Sequence, residues 1–358
     1  MSKTISHISA RHLKPIVGFD ANDVKGLAEI GVNFDEMIQS HGMDSLTATF
    51  TTPNVGSPIQ FLQNWLPGVV KDITTKRTID ELAGITTAGD WADEEVVQMI
   101  MERTGTAQPY GDYTNIPLSN YNLNFEKRTI VRFENGFSIG TLENERQAKY
   151  GVNAADAKRS GAIIDLEILR NSIGFNGWNN GANRTYGILN DPNLPAYQNV
   201  PNGAGGSPLW SLKTFAEITA DINNAANDLR TQSGSNVDPF NDDITLAVAS
   251  DAIGALAVAT DFNVSVMDWI AKTYPKMRVV SIPEFTDANG GASVFYMFAE
   301  NLKGDSTDNG RTFDQIVPSK LRALGNEARL KGFTEAYSNA TAGVFCKRPY
   351  LVIRRSGI

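Results

Sequence analysis

Thr185-Tyr-Gly-Ile-Leu-Asn190-Asp-Pro-Asn193-Leu-Pro195 is the stretch on which the fold turns. Gly187, two prolines and three Asn or Asp residues crowd into it, so it reads as coil rather than helix or ladder strand. What flanks it is strongly periodic. Upstream, residues 141–171 are helical in character with a break at Gly151. Asn153, three residues before Asp156, is a fair N-terminal cap. Ala162, Leu166, Leu169 and Ile173 fall on one helical face, and Gly174-Phe-Asn-Gly177 is a stop signal. Downstream, Asn202-Gly-Ala-Gly-Gly-Ser207 lies between Pro201 and Pro208 and reads as a flexible loop. Thr214-Phe-Ala-Glu217 then forms a capping box. Ile218, Ile222, Ala225, Ala226 and Leu229 mark the apolar face of the helix it opens, and Gly234 closes it.

Further out, Ile244-Thr-Leu-Ala-Val-Ala249 predicts a buried strand. Helices follow from about Ala252 and over 264–274, the latter capped by Asn263. Strands at 278–282 and 294–299 complete a compact α/β unit, and Asp287-Ala-Asn-Gly-Gly291 between them is a hairpin turn. On the other side, residues 69–83 read as a strand and short turn. Glu95-Val-Val-Gln-Met-Ile-Met-Glu102 is a strand, and 105–119 is a long tip. Tyr121-Asn-Leu123-Asn-Phe125-Glu alternates with period two, as a half-buried strand does. That strand is expected to continue through Ile130 and Phe133 to a turn at Asn135-Gly136. A two-stranded projection this long is marginal alone in water, so it has to lie on something. Leu123, Phe125, Ile130 and Phe133 are therefore the candidate inter-subunit contacts. Residues 343–345 and 350–353 return as strands to an earlier part of the chain.

The chain has 358 residues, 41% hydrophobic, with a net charge of −8 and a mean hydropathy of −0.24. That composition supports a sizeable core, and no apolar run is long enough to span a membrane. No secretory leader is expected from MSKTISHISARHLK. A single cysteine, Cys346, excludes an intramolecular disulfide and a cysteine-cluster metal site. His7, His12 and His41 are the only histidines, so Ser-His-Asp and Cys-His constellations have no base in the rest of the chain. The glycine loop at 202–207 lacks the lysine of a P-loop. Asp305-Ser-Thr-Asp308-Asn-Gly310 resembles the start of a calcium loop, but Ile316 stands where the bidentate Glu belongs. Asp242 and Asp243 could serve a carboxylate-based hydrolase, yet nothing fixes their separation. No cofactor is expected. Charge is uneven: residues 235–270 carry six acidic and no basic residues, whereas 331–358 carry five basic and one acidic. This is either surface decoration or a sign that different parts meet different partners.

The stretch 185–195, placed after a long helix and before the capping-box helix at Thr214, resembles a motif of tailed-bacteriophage major capsid proteins. These have the Hong Kong 97-like fold shared with encapsulins, and the resemblance covers about residues 60–358. It implies an α+β fold with an N-terminal arm at 1–70 and an extended hairpin (E-loop) at 90–140. The peripheral domain would comprise 71–89, then 141–209 with a long spine helix, then returning strands at 326–358. An axial α/β domain at 210–325 would be inserted in it. The implied function is a structural one: self-assembly, as hexamers and pentamers, into an icosahedral head shell around double-stranded DNA, in the virion. Assembly would take place in the bacterial host cytoplasm, with scaffolding, portal and decoration proteins as possible partners and no membrane. An encapsulin-type compartment shell and the carboxylate-based hydrolase are the alternatives. Some members weld subunits by a Lys-to-Asn isopeptide bond; Lys127 and Asn339 match in residue type only and read as surface residues.

Overall fold

A computed structural model describes residues 75–358 apart from 150–152, 261–262, 303 and 305. The expected arm at 1–70 lies outside the described residues. Helix α1 (Ile79–Leu82) and β1 (Ile85–Thr86) lead to a long hairpin of β2 (Glu95–Thr104) and β3 (Asn120–Thr129). Strand β4 (Val131–Gly140) runs from the hairpin into helices α2 (Thr141–Lys149) and α3 (Ala154–Asn176). Next come β5 (Gln198–Asn199), α4 (Phe215–Gln232), β6 (Ile244–Ala249), α5 (Val266–Thr273), β7 (Met277–Ile282), β8 (Val294–Ala299) and β9 (Phe313–Ile316). A second hairpin, β10 (Ser319–Arg329) and β11 (Gly332–Thr341), precedes β12 (Val344–Cys346) and β13 (Val352–Ser356).

The main core lies against a mixed five-stranded sheet in the order β5-β13-β8-β6-β7. Every residue of β6 and β8 is buried, which explains why both read as nearly unbroken apolar runs. Helix α4 buries Ile218, Ile222, Ala225, Ala226 and Leu229 in this core. Its start is held by Glu217: one carboxylate oxygen accepts from the Thr214 N–H at 2.8 Å and from the Thr214 hydroxyl at 2.9 Å. The other accepts from the Ala204 N–H at 2.6 Å, which ties the glycine loop to the helix. These bonds, the Ala204 one foremost, hold the Glu217 carboxyl below its usual range. Lys213 and Asp221 form a buried ion pair at 2.6 Å. Asp221 also accepts from the Trp210 indole N–H, and Lys213 donates to the Pro201 carbonyl, so neither charge is left bare.

A second sheet, β10-β11-β4, is antiparallel and carries α3 on one face. Arg159 of α3 forks onto Glu335 of β11 and lies over the ring of Phe137 of β4. The hydrogen bond from the Tyr337 hydroxyl, and then Arg159, keep the Glu335 carboxyl below its usual range. On the other face, Trp91 donates to Ser338 Oγ and sits against the guanidinium groups of Arg132 and Arg322. Two register shifts break up β10, the edge strand.

Several local expectations change. The end of the 69–83 segment is not a turn but helix α1, because Asn171 Oδ1 accepts from the N–H groups of Thr78 and Ile79. Asn135-Gly136 is not a turn: β4 runs straight through it, and Gly136 faces Ala336. A Cβ on Gly136 would lie 2.6 Å from the Glu335 carbonyl oxygen, so the glycine serves close strand approach. The Asn153 cap is made, its side chain accepting from the Asp156 N–H, but the helix passes Gly174 and ends at Asn176. Gly177, with φ +70°, supplies the stop. Ser265 rather than Asn263 caps α5, and Asn263 has φ +58°. The hairpin β10–β11 straddles the 325/326 boundary. Residues 352–356 do return to earlier parts of the chain, entering the five-stranded sheet between β5 and β8.

Candidate assembly surface

Strands β2 and β3 pair in unbroken antiparallel register from Glu95↔Thr129 to Thr104↔Asn120. Residues directly opposite in such a pair share a face. Val97, Met99 and Met101 therefore stand on the same side as Tyr121, Leu123 and Phe125. The other side is more polar, with Gln98, Glu102, Asn122, Asn124 and Glu126, but also carries Ile100 and, at the root, Val96 packed against the second core. The hairpin is thus amphipathic, yet its apolar side is open: Met99, Met101, Tyr121 and Phe125 are each more than half exposed. Beyond it, Tyr110, Tyr113, Ile116 and Leu118 of the tip are exposed almost completely. Ten residues per strand carry this surface roughly 30 Å from the root.

The four contact candidates divide. Leu123 and Phe125 lie on the exposed apolar side. Ile130 is a correction: it is only 4% exposed and packs in the chain's own second core with Ile316, Ala340, Ala342 and Phe345. Phe133 lines a groove with Leu169, Ile173 and Trp178. Val97, Met99 and Met101 were missed because an alternating run declares its side only once its partner's register is known. Lys127 is half exposed and paired with Glu95 at 3.3 Å. Asn339, read as a surface residue, is fully buried.

The root of the hairpin is held by the stretch 185–195. The Thr185 hydroxyl donates to the Thr129 carbonyl at 2.7 Å, and the Arg184 N–H donates to Thr129 Oγ1. Arg128, 1% exposed, pairs with Asp191 at 2.9 Å and with Glu126, between the rings of Tyr186 and Phe345. Asn193 donates to the second Glu126 oxygen at 2.8 Å. The same stretch also closes α3: Ile188 and Leu189 N–H groups donate to the Gly174 and Phe175 carbonyls, and the Asn190 amide donates to the Asn176 carbonyl. Arg354 of β13 donates to the carbonyls of Pro195 and Leu189. One coil therefore joins the hairpin, the long helix and the main sheet. Nearby, burial and then the Asp191 charge push the Cys346 thiol up, so it stays protonated.

Among the described residues, no group of three or more His, Cys, Asp or Glu side chains is placed to hold a metal, and no helix is long and apolar enough to cross a membrane. What this region offers is surface for association.

The comparisons with known proteins agree. The fold is similar to the capsid of Myoviridae phage XM1, with a TM-score of 0.66 at 15% identity, covering 84% of this chain and 98% of that one. It is also similar to a chain of Mycobacterium phage Ogopogo (TM-score 0.54, 9% identity, 83% and 97% covered). The capsid of a native GTA particle gives 0.54 at 8% identity, with 86% and 99% covered. No curated protein matches the chain. Identities this low bear on the fold, which is that of phage capsids. The family model described as "Pa193 gp26 major capsid protein" matches residues 48–357, most of the chain. The chain belongs to that family and is a structural protein of the phage head shell, not an enzyme.

Proposed function

We propose that the subunit closes an icosahedral shell of hexamers and pentamers around duplex DNA, and that the apolar side of hairpin β2–β3 docks on a neighbouring copy. The observation that carries this is the register that lines up Met99 with Phe125 and Met101 with Leu123 on an open face. A soluble monomer gains nothing from such a face; a heterologous contact repeated around a ring closes it. On this reading the E-loop is 90–129 of the expected 90–140, since β4 pairs with β11 beneath α3; α3 is the spine of the peripheral domain, and the five-stranded sheet is the axial domain. Ile130 drops out of the contact set, and Leu123, Phe125 and, in its groove beside α3, Phe133 remain. DNA is enclosed without being specifically bound, in keeping with the net charge of −8. Scaffolding, portal and decoration proteins are the expected partners, and assembly takes place in the host cytoplasm before the shell becomes part of the virion.

Electron microscopy of the purified protein tests the shell directly, and the particles' contents test the cargo. Duplex DNA in particles from infected cells is expected, and a protein cargo in its place overturns the assignment. Deleting residues 105–119 should leave a folded subunit that closes no shells; normal shells from that deletion would remove the hairpin from the contact set.

A further inference from the structure

We infer that Arg128 is a positioning residue for assembly: with Asp191, Glu126 and Asn193 it sets the direction in which the hairpin leaves the body. This rests on the proposal that the hairpin reaches a neighbouring copy.

A two-stranded ribbon about 30 Å long magnifies any rotation at its base. A small swing at Thr129 displaces the tip by many times the slack an interface tolerates. The base is therefore where orientation has to be fixed. Two hydrogen bonds at Thr129 fix it at one point. Resistance to rotation needs a second point, and Arg128 and Glu126 of β3 supply it. Asp191 is nearly fully buried, and its backbone neighbours hold it in place: the Asn193 N–H donates to one oxygen at 2.9 Å and the Cys346 N–H to the other at 3.3 Å. The guanidinium is planar and lies between two rings, so it resists twisting as well as stretching. Asn193 and Arg128 each hold a different oxygen of Glu126.

A buried ion pair is a poor device for stability, because desolvation offsets most of its attraction. Arg128 moreover leaves its buried Nε without a partner. The arrangement makes sense as a direction-setting one. It also gives a role to the coil at 185–195, whose Asp191 and Asn193 grip the hairpin alongside Thr185 while Asn190 grips the helix.

The test uses the double variant Arg128→Met with Asp191→Asn, which removes the pair without leaving Asp191 buried and charged; Glu126 keeps its bond from Asn193. A milder variant, Asn193→Ala, removes only the outer link. Spin labels go on Thr114→Cys at the tip and Thr231→Cys on α4; the buried, protonated Cys346 does not compete for label. In unassembled subunits the distance distribution between the labels should broaden in the double variant and, less, in Asn193→Ala. Amide exchange in β6 and β8 should stay as slow as in the unaltered subunit. Closed shells of native diameter should give way to open or irregular ones. An unchanged distance distribution overturns the inference. So does faster exchange in β6 and β8, since Arg128 would then be holding the core. Native shells built from subunits with a loosened hairpin overturn it as well. The label distances are read before assembly, so they stand or fall apart from the tip deletion, which tests the hairpin contact itself.

Discussion

Strands β6 and β8 and strands β2 and β3 have the same backbone chemistry and opposite surroundings. No residue of β6 or β8 is more than 2% exposed, whereas Phe125 and Met101 of the hairpin are 55% and 58% exposed. Both regions carry apolar side chains in strand register. In the sheet the covering layer, α4 and the inner loops, comes from the same chain. In the hairpin one side is left for a layer that the chain does not supply. Strand pairing alone therefore says little about whether a sheet is finished; the second layer decides it.

The largest effect should come from breaking that contrast where the hairpin is open. Met101→Asp with Phe125→Asp places two charges at neighbouring positions on the apolar side. Sedimentation and electron microscopy should show no shells, while the melting temperature of the free subunit stays where it was. A subunit that melts markedly lower would mean that this side is already covered within the chain.

The opposite pattern is expected from the closed region. Asp221→Ala leaves Lys213 buried and uncompensated, a loss of roughly 3–5 kcal/mol in denaturant unfolding. Any subunits that remain folded should still assemble. Thr214→Ala at the start of α4 should cost about 1 kcal/mol, again without effect on assembly.

The smallest effect concerns acid. The Arg348 guanidinium grips Asp308 with two hydrogen bonds, at 2.7 and 3.1 Å, and holds its carboxyl below the ordinary 3.8. A carboxylate with a depressed folded pKa contributes stability above its unfolded value and loses it as pH falls through the folded one. Subunit stability should therefore be level near neutrality and begin to fall as pH drops below about 4. Asp308→Asn should lower the plateau and flatten that fall. An unchanged acid slope in this variant would show that the pair is too well solvated to matter.

Much of the closed region was legible in the sequence because its signals are local. The Thr214–Glu217 box, the apolar face of α4 and the runs at 244–249 and 294–299 each carry their meaning within a few residues. The hairpin was legible as a projection but not in register, so only one of its two apolar strands entered the contact set. Ile130 was misplaced because the alternation runs across the point where the chain leaves the hairpin at Thr129 and enters the body. Asn135-Gly136 has the composition of a turn, and only the approach of Glu335, some 200 residues away, reveals its purpose. The grip of Asp191 on Arg128 has no local signature at all: 63 positions separate the partners. The coil at 185–195 was conspicuous for its composition, yet two of the three elements it joins, the hairpin and β13, lie far from it in the chain.

The place of β13 has a consequence for how the subunit is made. Residues 352–356 lie inside the five-stranded sheet, hydrogen-bonded to β8 on one side and to β5 on the other. A ribosome delivers β6, β7 and β8 well before it delivers this strand, so β8 waits with an open edge until synthesis has passed residue 356. A chain that stops before residue 352 is therefore expected to leave that edge of β8 unpaired and to be a poor building block. In an assembly where one faulty copy spoils the whole closed object, placing a late strand inside the main sheet acts as an inspection step.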